Sequence, residues 1–585
     1  MERNDYLIRK KIYKYMLTGV MITVALQLGN VVDAMIVGNL LGSLGNGAIS
    51  ASTPYIYTLQ AAAILLGSGG AVSVAVLLGK REVENAGRVF AFCMALSIIY
   101  PLVFSCLSPF TVPMYRNLVG ATGLLSEMIS SVTLVYSLGM PVISFVLVMA
   151  YLINVDNHPS LSANMHITAN AVNLVSDFIL VKFTPLGITG AALSTVIGYL
   201  VAGIIFIPMY YKSKNRMVTP VFKGIFGEMT HIKSACKNGF PNLANLIMTV
   251  ISVSLINATV LRALGEGYFS AYAVVNNTQL IVQMFLNGIS SVIASVAGVL
   301  YGEKDYFGMR RVFSKVLRTA LVIGLVIMVL FLAFPQFIAG LYGFDNDGVR
   351  AELYMGLRLF SLSFCFFILN AIAQNYYRTI SRTALSTLSV ALELLIVRVP
   401  MMFLGMRTYG FAGLFGAVII SEIVSFILIN LVRMVRQKLN PTSEKGFLMI
   451  PKVNEEEICD FTVTGSDIEA VNVSERIIEY CMKEGLPDDK AKAMGIAAEE
   501  LISNIGRYGY KDPNDSYIDV CLSKKGDKFY MRLRDDGIPF DPVSYVPKEH
   551  EPYEIGGLEM LKCLTVKMNY MRVINLNNTI IEIQA

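Results

Sequence analysis

Residues 15–42 read YMLTGVMITVALQLGNVVDAMIVGNLLG. A helix needs about 20 apolar residues to cross the hydrocarbon core of a bilayer, and this run is long enough. One acid, Asp33, lies near its middle. Gln27 and Asn30 precede it at three-residue steps, so the three share one broad side of a helix. A carboxylate at bilayer depth costs at least ~2.5 kcal/mol even on the mildest scale, and it persists only where it faces protein or a wet cavity. A buried acid paired with a polar neighbour meets that condition. A site for a coupling ion or proton meets it as well and gives the acid a task, and the sequence is read in that sense.

The rest of the chain has the same character. Of 585 residues, 54% are hydrophobic and 16% charged, and the mean hydropathy is +0.57. That composition describes a polytopic membrane protein with room for one further domain. Charge divides the chain. Residues 1–440 hold 31 Lys and Arg against 17 Asp and Glu, and residues 441–585 hold 17 against 26. A basic membrane part and an acidic tail are therefore distinct units. The positive charge sits in loops between apolar runs, which excludes nucleic-acid binding as its purpose. Eight scattered Cys without a CxxC read as free thiols in a reducing compartment. The polar N-terminus and the length of the first apolar run argue against a cleavable signal.

Twelve apolar segments are expected, near 15–36, 50–79, 89–113, 128–155, 162–182, 187–211, 240–264, 270–301, 316–341, 353–377, 384–405 and 410–432. Basic clusters fall at Arg9 to Lys14, Lys80 to Arg88, Lys212 to Lys237, Lys304 to Arg318 and Arg433 to Lys438, while the alternate loops are poor in charge or acidic, as at Asp345 and Asp347. This alternation predicts both termini on the cytoplasmic side; a bacterial plasma membrane is the expected location. The membrane part repeats at an offset of 223: Gly79-Lys80-Arg81-Glu82 recurs as Gly302-Glu303-Lys304-Asp305, Arg88-Val89-Phe90 as Arg311-Val312-Phe313, Gly187 to Gly190 as Gly410 to Gly413, and Leu41-Gly42 as Leu264-Gly265. Six spans per copy keep the copies in one orientation, giving two six-helix lobes related by an axis along the membrane normal. The expected boundaries are 1–225 and 226–440 for the lobes, 441–452 for a linker and 453–585 for the tail domain.

Asn173 and Asp177 are four apart and share a helical face, with Asn170 one turn earlier. Together with Asp33, the Gly187 to Thr195 run GITGAALST and the duplicated plan, this N-x-x-x-D resembles the multidrug and toxic compound extrusion (MATE) family over residues ~10–440. The resemblance implies export of organic, often cationic, compounds in exchange for Na⁺ or H⁺. It also implies a cation site formed by Asp33, Asn173, Asp177 and Thr195. Some family members place further acids in the seventh and tenth spans, and these spans hold none here. Glu393 and Arg398 in the eleventh are five apart, off the pairing spacing of an α-helix, and read as structural.

The tail mixes helix and strand patterns. SYIDVCL (516–522) and KFYMRLR (528–534) read as strands, and a helix near 488–508 carries Glu500, Asn504 and Tyr508 in one stripe. Asp535-x-Gly537 follows in RDDGIPFDP, and Gly556-Gly557 in EIGGLEMLK. These three features resemble the N, G1 and G2 boxes of the histidine-kinase/gyrase/Hsp90-type (GHKL) ATP fold, most closely the anti-sigma-factor serine-kinase branch. Tyr508 stands where that branch has His, and Glu559 where a lid glycine is common. The resemblance implies a cytosolic α/β-sandwich (Bergerat-type) domain binding ATP and Mg²⁺. Asn504 would offer an oxygen to Mg²⁺, Asp535 would accept from the adenine amino group, and Gly537 with Gly556-Gly557 would let backbone approach the nucleotide. Glu500 is placed to polarise an attacking water or hydroxyl, the catalytic role. No G-x-x-x-x-G-K-[ST] occurs, so the chain is no ABC-type pump. The first expectation is a secondary antiporter with a nucleotide-binding regulator. The alternatives are a membrane-anchored serine kinase acting on an anti-anti-sigma-like partner, and a flippase for lipid-linked substrates.

Overall fold

The computed structural model describes residues 4, 6–79, 82–156, 158–213, 216–223, 229–303, 305–439, 444–451, 458–510, 516–545, 567–573 and 576–584. Lys80, Arg81, Lys214, Lys304, Gly556, Gly557, Glu559 and part of the linker lie outside them. The chain forms two compact units. One comprises residues 18–290 and 317–434, the other residues 1–17, 291–316 and 435–585. The tail thus shares its unit with the start of the first helix and with the 291–316 stretch, which the sequence assigned to the membrane part.

The first unit is helical. Its elements are α1 (Tyr6–Gly79), α2 (Val83–Val119), α3 (Gly123–Val155), α4 (Pro159–Phe183), α5 (Gly187–Lys212), α6 (Met229–Leu264) and α7 (Glu266–Val292), and then, beyond α8 (Gly298–Gly302), α9 (Tyr306–Ala333), α10 (Pro335–Leu341), α11 (Arg350–Leu362), α12 (Phe364–Thr379), α13 (Thr383–Ala391) and α14 (Arg398–Leu439). α1, α7, α9 and α14 begin or end in the other unit. Among the described residues, seven helical stretches are long and apolar enough to cross a membrane, or eight if α11 and α12, bent by 44° at their junction, form one broken span. The twelve expected spans are not recovered as twelve such helices, for two physical reasons. α1 and α14 each run through two apolar segments, broken by non-helical backbone at Gly42 and at Tyr409-Gly410 rather than by a loop. α4 and α7 carry Asn, Ser, Thr and Gln among their apolar residues and are correspondingly less hydrophobic.

The repeat is written into the backbone. Gly42 (φ 74°) and Gly265 (φ 86°), Gly120 (φ 76°) and Gly343 (φ 58°), and Gly187 (φ 50°) and Gly410 (φ 59°) are pairs at an offset of 223, all with positive φ. Glycine lacks the Cβ that makes this region costly, so each pair marks a corner that both halves turn in the same way. Two π-helical turns, Ile293–Ala297 and Leu392–Ile396, interrupt the helices of the second half.

The second unit is built on an antiparallel five-stranded sheet of order β3-β4-β5-β7-β6: β3 (Ile458–Thr464), β4 (Tyr517–Lys525), β5 (Lys528–Asp535), β6 (Lys567–Val573) and β7 (Leu576–Gln584). A short β1–β2 ribbon (Glu444–Lys445, Ile450–Pro451) precedes it. Strand alternation sends Phe461, Ile518, Val520, Met531, Leu533 and Ile581 to one face. There they bury against the apolar stripes of α15 (Asp467–Lys483) and α16 (Asp488–Gly509). Ser466 caps α15 by accepting from the Glu469 amide (3.3 Å), and the Glu469 carboxylate reaches past the cap to accept from the Thr464 amide, tying β3 to the helix start.

The opposite sheet face is polar and is covered within the same unit. Arg534 of β5 donates to Glu303 and, at 3.0 Å, to Asp305. Arg532 lies 3.6 Å from Glu303 and 3.4 Å from Asp305, and Asn578 of β7 donates to Glu303 at 2.6 Å. At the start of α1, the Asn4 amide donates to Thr462 (3.0 Å) and the Tyr6 ring packs on Tyr517 (4.2 Å between centroids).

Candidate functional sites

In the helical unit, α4 and α5 pack closely and bring the predicted polar residues together. Asn173 donates from Nδ2 to Ser194 (3.0 Å) and to Thr195 (3.1 Å), and the Tyr136 hydroxyl of α3 donates to Thr195 Oγ1 (3.2 Å). With its nitrogen so engaged, the Asn173 amide has its oxygen left for a ligand. The carboxyls of Asp33 and Asp177 come within hydrogen-bonding range of each other. Asp177 is fully buried; the Ser194 hydroxyl faces it but donates to the Ala191 carbonyl (2.6 Å), and among the described residues no donor completes a hydrogen bond to either Asp177 oxygen or to Oδ1 of Asp33. Two carboxylates have no hydrogen to share unless one is protonated, so the pair calls for a proton or a small cation. Glycine permits the close packing behind it: a Cβ at Gly198 would meet the Ala169 carbonyl at 2.4 Å and Asn173 Cβ at 3.1 Å. Asp33, Asn173, Asp177 and Thr195 thus share one place. Tyr136 and Ser194 belong to it too, and the sequence reading missed both. A lone Tyr in an apolar span and a Ser in a small-residue run carry no signal of their own.

In the sheet unit, α16 places Glu500 and Asn504 one turn apart, and Asn504 Nδ2 donates to Glu500 Oε1 at 2.9 Å. The Asn504 oxygen is thereby left to a cation. Asp535 closes β5. Its Oδ1 accepts from the Gly537 amide (2.9 Å) and from Asn577 Nδ2 (2.8 Å), so its second oxygen is the one available to a ligand. Burial pushes the Asp535 carboxyl up to about 6, against the lowering pull of those two hydrogen bonds. It is therefore an ionised acceptor at neutral pH. A Cβ at Gly537 would meet the Gly509 carbonyl at 2.8 Å, so only glycine lets this turn lie against the end of α16, where the Ile538 amide donates to the same carbonyl. These residues fit a purine amino group and a metal-bound phosphate. Tyr508 is half-exposed on α16. Gly556 and Gly557 lie outside the described residues. Asn577, which orients Asp535 and is itself held by Arg572 (2.6 Å) and Tyr570 (2.8 Å), was not legible in the sequence.

Next in sequence to Asp535, Asp536 accepts from the Tyr510 hydroxyl (2.8 Å) and pairs with Lys10 (2.7 Å) and, at longer range, Lys11 (3.9 Å). These partners outweigh burial and hold the Asp536 carboxyl below its ordinary value.

A helical membrane transporter joined to a nucleotide-binding sheet domain is the class that this fold defines, and comparison with known proteins agrees. The MatE family model matches residues 242–404, and the histidine kinase-like ATPase domain matches residues 466–580. The multidrug export protein MepA of Staphylococcus saprophyticus is 23% identical over 423 residues, 70% of this chain and 90% of that protein. MepA of Staphylococcus haemolyticus is 24% identical over 412 residues, 69% of this chain and 88% of that protein. A solved MATE-family multidrug resistance transporter in its inward-facing conformation superposes with a TM-score of 0.64 at 19% identity, covering 72% of this chain and 99% of its own. The chain carries a MATE-family transporter domain followed by a histidine kinase-like ATPase domain.

Proposed function

We propose that the protein is a secondary antiporter of a bacterial plasma membrane. It exports organic, cationic compounds in exchange for Na⁺ or H⁺, and its nucleotide-binding domain regulates it from the cytoplasmic side, where both termini lie. The observation that carries the transport reading is the Asp33–Asp177 pair, in which both oxygens of the buried Asp177 and Oδ1 of the half-buried Asp33 complete no hydrogen bond among the described residues. Intramembrane acids of this kind mark ion and proton paths. Uptake of a proton, or of Na⁺ coordinated by the carboxylates with the Asn173 and Thr195 oxygens, cancels charge in a low-dielectric place. That change biases one arrangement of the two lobes over the other. The names of the staphylococcal relatives point to drugs as the exported class.

The regulatory reading rests on the polar face of the sheet. Arg534 is 1% exposed and engages Glu303 and Asp305, the second-half copies of Lys80 and Glu82 in the repeat. Asp536, next to the nucleotide-facing Asp535, engages Lys10 of α1, the helix that also carries Asp33. Bound ATP, with Mg²⁺ on Asn504 and Glu500 beside it, would supply phosphate charge at the end of α16, and the chain's own residues would register it through Asp536 and its lysines. No Walker-type loop is present, which sets the chain apart from ABC-type pumps, and in this reading nucleotide modulates transport rather than driving it.

The test is efflux of a fluorescent organic cation from proteoliposomes under an imposed Na⁺ or H⁺ gradient, with and without ATP on the tail side. Gradient-driven efflux altered by ATP is expected. Asp33→Asn abolishes coupled efflux while the protein still inserts, and normal ion-driven transport by that variant refutes the site. Deletion of residues 445–585 without effect on the ATP response refutes the regulator.

A further inference from the structure

The second half of the helical unit holds a buried charge cluster that the transport reading above does not use. Glu422 and Arg398, both on α14, form an ion pair, and Asn370 of α12 donates to the same carboxylate at 2.7 Å. Among the described residues, Glu393 accepts from a neutral partner alone, the amide of Gln374, one turn along α12 from Asn370. Glu393 and Glu422 are 5% and 1% exposed. Two carboxylates against one guanidinium leave the cluster one negative charge in excess, and Glu393 is the member without a cationic partner. A charge so buried is not tolerated without compensation.

Three further observations point to an occupant. The Asn370 oxygen and the Arg398 Nε–H are buried without a partner, so the cluster has one acceptor and one donor to spare. Glu393 sits inside the π-helical turn Leu392–Ile396, where the Val397 amide reaches back five residues to the Leu392 carbonyl. That extra residue in the turn brings Glu393 and Arg398, five apart, into one cluster, and π turns concentrate at functional positions. Finally, the offset of 223 sets Glu393 on Asn170, one turn before Asn173, and Glu422 on Tyr199, one turn beyond Thr195. The cluster therefore occupies, in the second half, the helix pair that carries Asn173, Asp177 and Thr195 in the first. It does so on spans other than the seventh and tenth.

We propose that the Glu393–Glu422–Arg398 cluster is a second coupling site, which takes up one positive charge per transport cycle, as a proton on Glu393 or as a monovalent cation between the carboxylates. The charged and titratable groups facing Glu393 are Arg398 from its own stretch and Glu422, with the Tyr272 hydroxyl beyond them facing Arg398. The inference rests on the transporter reading but not on the identity of the ion.

The test uses the full-length protein in lipid. Infrared difference spectra recorded across a pH step report a buried carboxyl that gains a proton. A carboxyl band that persists in Asp33→Asn and disappears in Glu393→Gln is expected. Gln374→Leu, which keeps the carboxyl but removes its hydrogen bond, shifts the band instead. Loss of the band on adding NaCl at fixed pH assigns the site to Na⁺, and indifference to NaCl assigns it to H⁺. In proteoliposomes, the cation-to-substrate ratio read from the reversal potential falls by one in Glu393→Gln. A folded Glu393→Gln protein with an unchanged band and an unchanged ratio overturns the proposal. A wild type without gradient-driven efflux overturns the transport reading instead, and the spectra still judge the cluster.

Discussion

At the scale of single residues, two acids outside the membrane set testable behaviour. Asp535 is raised by burial to about 6. A raised carboxyl is ionised above that value and protonated below it, so the acceptor proposed for an adenine amino group disappears as pH falls. We expect ATP affinity of the full-length protein to drop by about tenfold per pH unit below ~6 and to be flat from 7 to 8. Titration calorimetry at pH 5, 6 and 7.5 measures this, and Asp535→Asn should bind weakly at every pH. Asp156 is wholly buried at the end of α3, where it accepts from the Tyr210 hydroxyl (2.6 Å) and from the amides of Met217 (2.8 Å) and Val218 (3.0 Å). It pins the connection between the halves. Asp156→Ala leaves three donors without their charged acceptor and should destabilise the protein by on the order of 3 kcal/mol, read as a lowered thermal midpoint in detergent. Nothing in the sequence marks Asp156, because its backbone partners lie 61 and 62 residues downstream.

At the scale of elements, the sequence was most informative where one residue type is demanded by backbone shape. The Leu41-Gly42 and Gly187/Gly410 matches fall at turns with positive φ, so the repeat was legible there. The Gly120/Gly343 pair obeys the same offset, but the Leu-x-Gly shared there (Leu118 and Leu341) is too short a match to announce it. The strands β4 and β5 were legible from alternation. The π turn at Leu392–Ile396 was not, since an extra residue in a helix leaves no periodic trace, and so Glu393 and Arg398 looked mismatched. The two kinks differ in how tightly they are built. A Cβ at Gly42 would meet Asp345 Oδ2 at 2.6 Å, where that carboxylate accepts from the Ser43 hydroxyl at 2.7 Å, whereas a Cβ at Gly410 meets nothing within 4 Å. Gly410→Ala should cost only its backbone strain, about 1–2 kcal/mol, and Gly42→Ala clearly more, because it also displaces Asp345. Comparing the thermal midpoints of the two variants checks the order.

At the scale of the whole molecule, the question is whether a nucleotide domain riding on a transporter can be more than a passenger. Its open sheet face is not left to solvent. Arg532 and Arg534 sit on alternate positions of β5, facing away from the core, where an uncompensated guanidinium would be costly, and Glu303 and Asp305 supply the charge they need. Breaking such a buried pair from one side costs about 3–5 kcal/mol. Arg534→Glu should therefore release the face and abolish any effect of ATP on efflux, while Arg534→Glu combined with Glu303→Arg should recover part of it. Coupling through this contact must also run in reverse. If ATP changes the affinity for exported substrate or coupling ion by some factor, typically 5–150-fold for a coupling of about 1–3 kcal/mol, then substrate or ion must change ATP affinity by the same factor. Nucleotide titrations of the reconstituted protein with and without the coupling ion measure that factor directly. Equal factors in the wild type, both falling to one in Arg534→Glu, identify the Arg534–Glu303/Asp305 contact as the route. An ATP effect on efflux with no reciprocal change in nucleotide affinity places the effect elsewhere.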